Sequence, residues 1–172
     1  MIQRLIAAAL AAVVIALPAQ AQTVVLVRHG EKAGPTGDVD LSAAGQARAR
    51  DLAQTLSGAK VTLVLATTFK RTGQTAQPTA TAAGLPVVTI NFDGGDRAHI
   101  QRVAARARQA GRGDTVLIVG HSNTITEIAR ALGDPAPTPI SDCDYDRMTV
   151  LRLDGKTASA IHTRYGVPTQ SC

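Results

Sequence analysis

Aromatic side chains are nearly absent from this chain: Phe, Tyr and Trp together make up 2% of its 172 residues, and there is no Trp. That scarcity argues against base-stacking platforms and aromatic sugar-binding surfaces, so no nucleic-acid partner is expected. Cysteine is rarer still, and the pair present, Cys143 and Cys172, lacks the spacing of a zinc site. Internal repeats, linkers and low-complexity tracts are missing too, and 172 residues suffice for one core but not comfortably for two. What remains fits a soluble globular domain. Apolar residues reach 45%, and 18 Lys plus Arg against 13 Asp plus Glu leave a net charge of +5, which excludes disorder and fibrous repeats.

The one long apolar run stands at the start. Arg4 precedes Leu5 to Leu17, which are followed by Pro18 and Ala19-Gln20-Ala21. This order is that of a secretory signal peptide with cleavage after Ala21, and the run is short for a membrane span, which needs about twenty residues. The sequence therefore predicts a leader over residues 1–21 and a mature domain over residues 22–172, exported to the periplasm, with no stable membrane insertion after cleavage. In an oxidising compartment Cys143 and Cys172 are expected to pair, closing a loop of about thirty residues.

Short, continuous, β-branched runs predict buried parallel strands at Thr23–Val27, Val61–Ala66, Val87–Ile90 and Thr115–Val119. Helical segments alternate with them. One runs from Ala43 to Leu56 with Ser42 as its cap and Ser57-Gly58 as its stop, and another from Arg71 to Ala83 despite Pro78, ending at Gly84. A third spans Asp96 to Ala110, with Ile100, Val103 and Ala107 on one face, and a fourth spans Asn123 to Leu132. Met148–Leu153 and Thr157–Arg164 read as a hairpin turning at Asp154-Gly155. The fold expected is α/β: a single-domain three-layer sandwich with a mostly parallel central sheet and helices on both faces.

Three of these strands run into polar residues of one chemical type. The first ends in Arg28-His29-Gly30, the second in a loop reaching Lys70-Arg71, and the fourth in Gly120-His121-Ser122-Asn123. Ligands of open α/β sheets bind at the carboxyl ends of strands, so parallel neighbours would bring these arginines and histidines into one crevice beside a helix N-terminus. Arginine forks suit a compact polyanion such as phosphate. A histidine among guanidiniums is expected to be neutral near pH 7, which makes His29 a nucleophile for phosphorus, with Arg28, Arg71 and a protonated His121 meeting the developing charge.

Val27-Arg28-His29-Gly30-Glu31, Leu41-Ser42-Ala43-Ala44-Gly45-Gln46-Ala47-Arg48, Phe69-Lys70-Arg71-Thr72-Gly73-Gln74-Thr75-Ala76 and Gly120-His121-Ser122 resemble, in this order and spacing, the blocks of the histidine phosphatase superfamily, also called phosphoglycerate mutase-like. The resemblance implies that His29 is phosphorylated, that Arg28 and Arg71 hold the phosphate and that His121 donates to it. It also implies a transient phosphohistidine hydrolysed by water, without metal or other cofactor. The acid phosphatase branch has Asp directly after the second histidine, where this chain has Ser122, so a general acid comes from elsewhere or is absent. The mutase branch draws it from the segment between the third and fourth blocks, which here offers Asp93 and Asp96. The small size resembles the compact phosphohistidine phosphatase branch, whose phosphoramidate leaving group needs less help, but export separates the chain from that cytoplasmic branch.

Among the acid candidates Asp93 is preferred, because Asp96 also suits a helix N-cap and Glu31 suits a positioning role. Gly30, Thr75, Ser122 and Asn123 are candidate substrate contacts, with capping and packing as the alternative for Thr75 and Asn123. A metal on His29 and His121 is opposed by the adjacent arginines and the lack of a third ligand. Ser122 does not complete a serine-hydrolase elbow, since Thr124 replaces the closing glycine. His99 and His162 read as structural, and the arginines from Arg97 to Arg112 as a solvated helix face. The function expected is an exported phosphatase cleaving a phosphomonoester on a small substrate or an envelope component; the alternatives are a phosphohistidine phosphatase and a non-catalytic phosphate-binding envelope protein.

Overall fold

A computed structural model describes residues 20–155 and 157–169. All but the last two positions of the predicted leader lie outside these residues. Cys172 does as well, so the predicted Cys143–Cys172 pair is not among the features described. In chain order the elements are β1 (Gln22–Arg28), α1 (Ala43–Thr55), β2 (Val61–Thr67), α2 (Lys70–Ala83), β3 (Val87–Ile90), α3 (Gly95–Arg108), β4 (Thr115–Gly120), α4 (Ser122–Leu132), β5 (Arg147–Asp154) and β6 (Thr157–Arg164). Every predicted element is present. The strands form one sheet in the order β3-β2-β4-β1-β5-β6, with the first four parallel and the β5–β6 hairpin closing one side in antiparallel fashion.

Strand periodicity splits the core into two layers. Val24, Leu26, Leu63, Leu65, Val116 and Ile118 face α3 and α4, where they meet Val103, Ala107, Ile125 and Ile128. Their strand neighbours Val25, Val27, Val64, Ala66, Leu117 and Val119 face α1 and α2 and pack on Leu52, Leu56, Ala76 and Ala80. β1 and β4 lie in the middle and are buried on both faces, which is why their sequences are continuously apolar. Each large side chain so buried contributes about 1.5–3 kcal/mol, and the sum fixes the strand register that aligns the polar strand ends.

One local feature differs from expectation, and another goes beyond it. Asp96 does not cap α3: Gly94 takes the cap in the left-handed region at φ 78°, Gly95 follows at φ 80°, and Asp96 stands in the first turn. The arginines of α3 and the following turn face solvent at least in part, as expected, but three of them also bond to the protein. Arg102 donates to the carbonyls of Asn91 and Asp93, Arg108 to that of Ala131, and Arg112 pairs with Asp154.

The loop after β1 lies directly on the start of α1. Ser42 accepts from the Gly45 amide as predicted, and its own amide donates to the Glu31 carbonyl at 2.9 Å. A Cβ on Gly45 would sit 2.3 Å from the Glu31 carbonyl oxygen, and one on Gly30 would sit 2.8 Å from the Gly45 oxygen. Both obstacles are backbone, so neither can rotate away. Gly45→Ala is therefore expected to lower stability by about 2 kcal/mol, while Gly73→Ala, whose Cβ meets nothing within 4 Å near the start of α2, should raise it by about 0.5–1 kcal/mol. Urea unfolding of the two variants checks the pair; equal shifts of either sign would contradict the packing described.

Candidate active site

The register of β1 on β4 places Arg28 beside Gly120, and the next amide, that of His29, donates to the Gly120 carbonyl at 3.0 Å. Both strands end there, so His29 and His121 emerge side by side, with ring centroids 5.3 Å apart in an edge-to-face arrangement. Arg71 arrives from the first turn of α2, which follows the end of β2. The convergence predicted from the strand ends is present, and the two histidines and Arg28 are each less than a tenth exposed.

The direction of the His29 ring is fixed. Its Nδ1 lies 2.7 Å from the Gly30 carbonyl, which can only accept, so Nδ1 carries the hydrogen and Nε2 holds a free lone pair. The Gly30 amide in turn donates to Thr75 Oγ1, whose hydroxyl donates to the Arg71 carbonyl. Burial is the main reason why His29 titrates at about 4, with repulsion from Arg28, Arg71 and Lys32 adding to it against the bond to Gly30. The neutral imidazole expected from the sequence is thus obtained, chiefly through desolvation and only secondarily through the guanidiniums.

His121 is held neutral by its surroundings as well. Burial, followed by His29, Arg71, His99 and Arg28, lowers it to about 3, so the protein's own groups favour the neutral ring rather than the protonated one. Its Nε2 lies 3.1 Å from Thr67 Oγ1, and its Nδ1 is 3.5 Å from Arg71 Nη2. A positive charge on this ring has to come with an anion that neutralises the arginines.

Each arginine is braced by an aromatic face. Arg28 lies over Tyr145 at 4.2 Å from the ring centroid, donates to the Ser141 carbonyl at 2.9 Å, and has Asp142 at 3.7 Å. Arg71 lies over Phe69 at 4.3 Å and reaches the Gly37 carbonyl. Burial lowers the pKa of both, which remain cationic at neutral pH. Their Nε atoms are buried and have no hydrogen-bond partner among the described residues. Phe69 and Phe92 both approach His121, and Phe92 stacks on His99 at 4.0 Å. Three of the four aromatic residues of the chain therefore belong to this site, a concentration that composition cannot show.

Above the floor the cavity measures about 550 Å³, lined by Arg28, His29, Lys32, Thr68, Phe69, Arg71, Phe92, Asp96, His121, Ser122, Asn123 and Asp142. Ser122 and Asn123 are where the sequence placed them. Gly30 and Thr75 are not: both are buried, the first against Gly45 and the second between Gly30 and Arg71, and neither lines the cavity. Asp93 does not line the cavity. It is exposed and accepts from Asn91 at 2.5 Å, which removes the preferred proton donor. Asp96 does line it, accepting from Asn123 at 2.9 Å. Glu31 is held by Arg48 through Nε and Nη2 at 3.0 and 2.7 Å, a positioning arrangement. The carboxylate that sequence reasoning missed is Asp142, on the loop before β5, which accepts from Ser122 Oγ at 3.0 Å. No spacing marks it in the sequence, because it comes from the antiparallel side of the sheet. His99 is buried and donates to the Asn91 carbonyl, and His162 joins Thr149 on the outer hairpin, as their structural reading required.

A family model described as histidine phosphatase superfamily (branch 1) matches residues 24–91, which include Arg28, His29, Glu31 and Arg71. No curated protein sequence matches the chain. Among solved structures, the protein histidine phosphatase SixA complexed with tungstate superposes with a TM-score of 0.64 at 20% identity, covering 83% of this chain and 96% of that one. A mycobacterial glucosyl-3-phosphoglycerate phosphatase complexed with VO3 gives 0.62 at 16% identity, covering 84% and 98%. A protein described as mycobacterial hydrolase 1 gives 0.58 at 18% identity, covering 89% and 100%. The sequence blocks, the sheet and the site geometry thus agree in likening this chain to the histidine phosphatase superfamily, the family match itself resting on residues 24–91 and the structural likeness on the fold.

Proposed function

We propose that this protein is an exported phosphatase that cleaves a phosphomonoester by passing the phosphoryl group through His29 Nε2. One arrangement carries the reading: a neutral imidazole whose Nε2 lone pair is left free, lining one cavity with His121 and with two arginines that each lie on an aromatic ring. Two arginine forks neutralise the phosphate oxygens, and the Nε2 lone pair attacks phosphorus. As the P–N bond forms, the P–O bond to the leaving group breaks and the departing alkoxide takes a proton. Water then attacks phosphorus, the P–N bond breaks, and inorganic phosphate leaves the neutral ring restored. That two similar structures are described with tungstate and VO3 supports an oxyanion here.

The alkoxide proton has two candidate sources, Asp96 and Asp142, both exposed at the rim. This position also favours a second reading, hydrolysis of a phosphoramidate such as phosphohistidine, whose nitrogen leaving group depends less on a buried acid.

His29→Ala is expected to abolish hydrolysis of an aryl phosphate, and Arg28→Ala and Arg71→Ala to reduce kcat by about a hundredfold or more. Acid quenching fails to preserve a phosphohistidine, so trapping in base should give a phosphoryl group on His29; a phosphoserine, or activity in His29→Ala, refutes the route. Exhaustive chelation should leave turnover intact, since the arginines already supply the positive charge. Asp96→Asn and Asp142→Asn, assayed on an alkyl and an aryl phosphate, identify the donor as the residue whose loss slows only the alkyl ester. If neither does so while a phosphohistidine peptide is turned over, the second reading replaces the first. Expressed with its full N-terminus, the protein should be recovered from the periplasm beginning at Gln22 and without titratable thiols; recovery in the cytoplasm counts against export.

A further inference from the structure

Beneath His121 lie two threonine hydroxyls that the reaction above does not touch. Thr67 ends β2 and Thr72 sits in the first turn of α2, 4% and 0% exposed. Thr72 Oγ1 is 2.7 Å from the Phe69 carbonyl, a pure acceptor, so the Thr72 proton is spent there. Thr67 Oγ1 is 2.9 Å from Thr72 Oγ1, and Thr67 must therefore supply the proton of that bond. With none left, Thr67 can only accept from His121, so Nε2 of the ring carries a hydrogen. At the opposite edge Nδ1 faces Arg71, which has no acceptor capacity. Two independent neighbours thus demand the same tautomer.

We propose that Thr67 and Thr72 are positioning residues that keep the Nδ1 lone pair of His121 turned toward the phosphoryl site, so that binding of a tetrahedral dianion is coupled to uptake of a proton from solvent at Nδ1. The proposal rests on the phosphate reading of the cavity. The titratable groups facing the ring are His29 and Arg28 from the end of β1, Arg71 from α2 and His99 from α3, and all of them oppose a positive charge on it. Asp96 and Asp142 hydrogen-bond to Asn123 and Ser122 instead. A dianion between Arg28 and Arg71 reverses the balance, because it cancels both guanidiniums and sets acceptor oxygens against Nδ1. The ring then takes up a proton, keeps Nε2–H on Thr67, and donates Nδ1–H to the anion as a cation. The opposite tautomer would offer Nδ1–H with no uptake and no charge. Since the ring titrates at about 3 without the anion and higher with it, binding takes up a proton between those values and tightens as pH falls through the upper one.

Tungstate is a suitable probe because it is a tetrahedral dianion with no proton to lose near neutrality. Titrated calorimetrically into the whole protein in buffers of different ionisation heat near pH 6, it should be bound with uptake of about one proton. In Thr67→Val the uptake should fall clearly below that of the natural protein, with kcat for an aryl phosphate down by roughly tenfold or more and KM little changed, and Thr67→Ser should restore both. Nitrogen-15 shifts of His121 without tungstate should show Nε2–H in the natural protein and a mixture with a larger share of Nδ1–H in Thr67→Val, where Arg71 alone still opposes that tautomer. That readout needs no turnover, so it separates failure of the tautomer lock from failure of the phosphatase reading. If Thr67→Val does not fold, Thr72→Val must give the same loss, because it frees the Thr67 proton to donate to Nε2. Equal proton uptake and unchanged nitrogen shifts in the variants overturn the proposal, as does tungstate binding without uptake in the natural protein.

Discussion

The parallel pairing of β1 with β4 is the constraint on which the site depends. Backbone hydrogen bonds set this register, and the last of them, from the His29 amide to the Gly120 carbonyl, holds the two histidines abreast. A slip of one residue would turn either ring to the opposite face of the sheet and separate them. The apolar layers on both sides forbid such a slip, since it would exchange the side chains facing α1 and α2 for those facing α3 and α4. Stability and chemistry thus share one determinant, and the core residues of β1 and β4 act as alignment elements for the floor above them.

Desolvation is the second organising influence. Four basic side chains meet in one place, an arrangement that would be strongly disfavoured if all were charged. The structure resolves this by leaving two guanidiniums charged, each laid on an aromatic ring, and by keeping both imidazoles neutral through burial. Phe69, Phe92 and Tyr145 supply the apolar surface that does so. The pocket consequently favours an anion that restores neutrality, and the paucity of aromatics elsewhere reflects where they are used.

Most of the fold was legible because strand and helix periods differ sharply and glycine ends the helices. The floor was legible for a related reason: Arg28, His29, Arg71 and His121 all sit within a residue or a turn of a parallel strand end. What the sequence hid comes from elsewhere. Asp142 and Tyr145 precede the antiparallel β5, so the rule that strand carboxyl ends carry ligands does not reach them. Asp93 was preferred over Asp96 on capping logic that two consecutive left-handed glycines made irrelevant, since Gly94 itself begins α3. Thr75 looked like a substrate contact because it shares a block with Arg71, and only the packing shows it turned toward Gly30. That the protein's own groups hold His121 neutral is not legible, because charge can be counted from the sequence, whereas burial cannot.

Arg48 joins the loop of the nucleophile to the far end of the chain. Besides Glu31 it donates to the carbonyls of Tyr165 and Val167, while Arg28 leans on Ser141 and Tyr145. Residues near position 30 are thereby completed by partners more than a hundred positions later, and β1 cannot pair until β4 and β5 exist. For a chain made from its N-terminus, such distant closures come last. His29 is made well before the residues that come to surround it, so an unfinished or still extended chain carries this imidazole in water, without the burial and the arginine and histidine neighbours that set its charge in the finished fold.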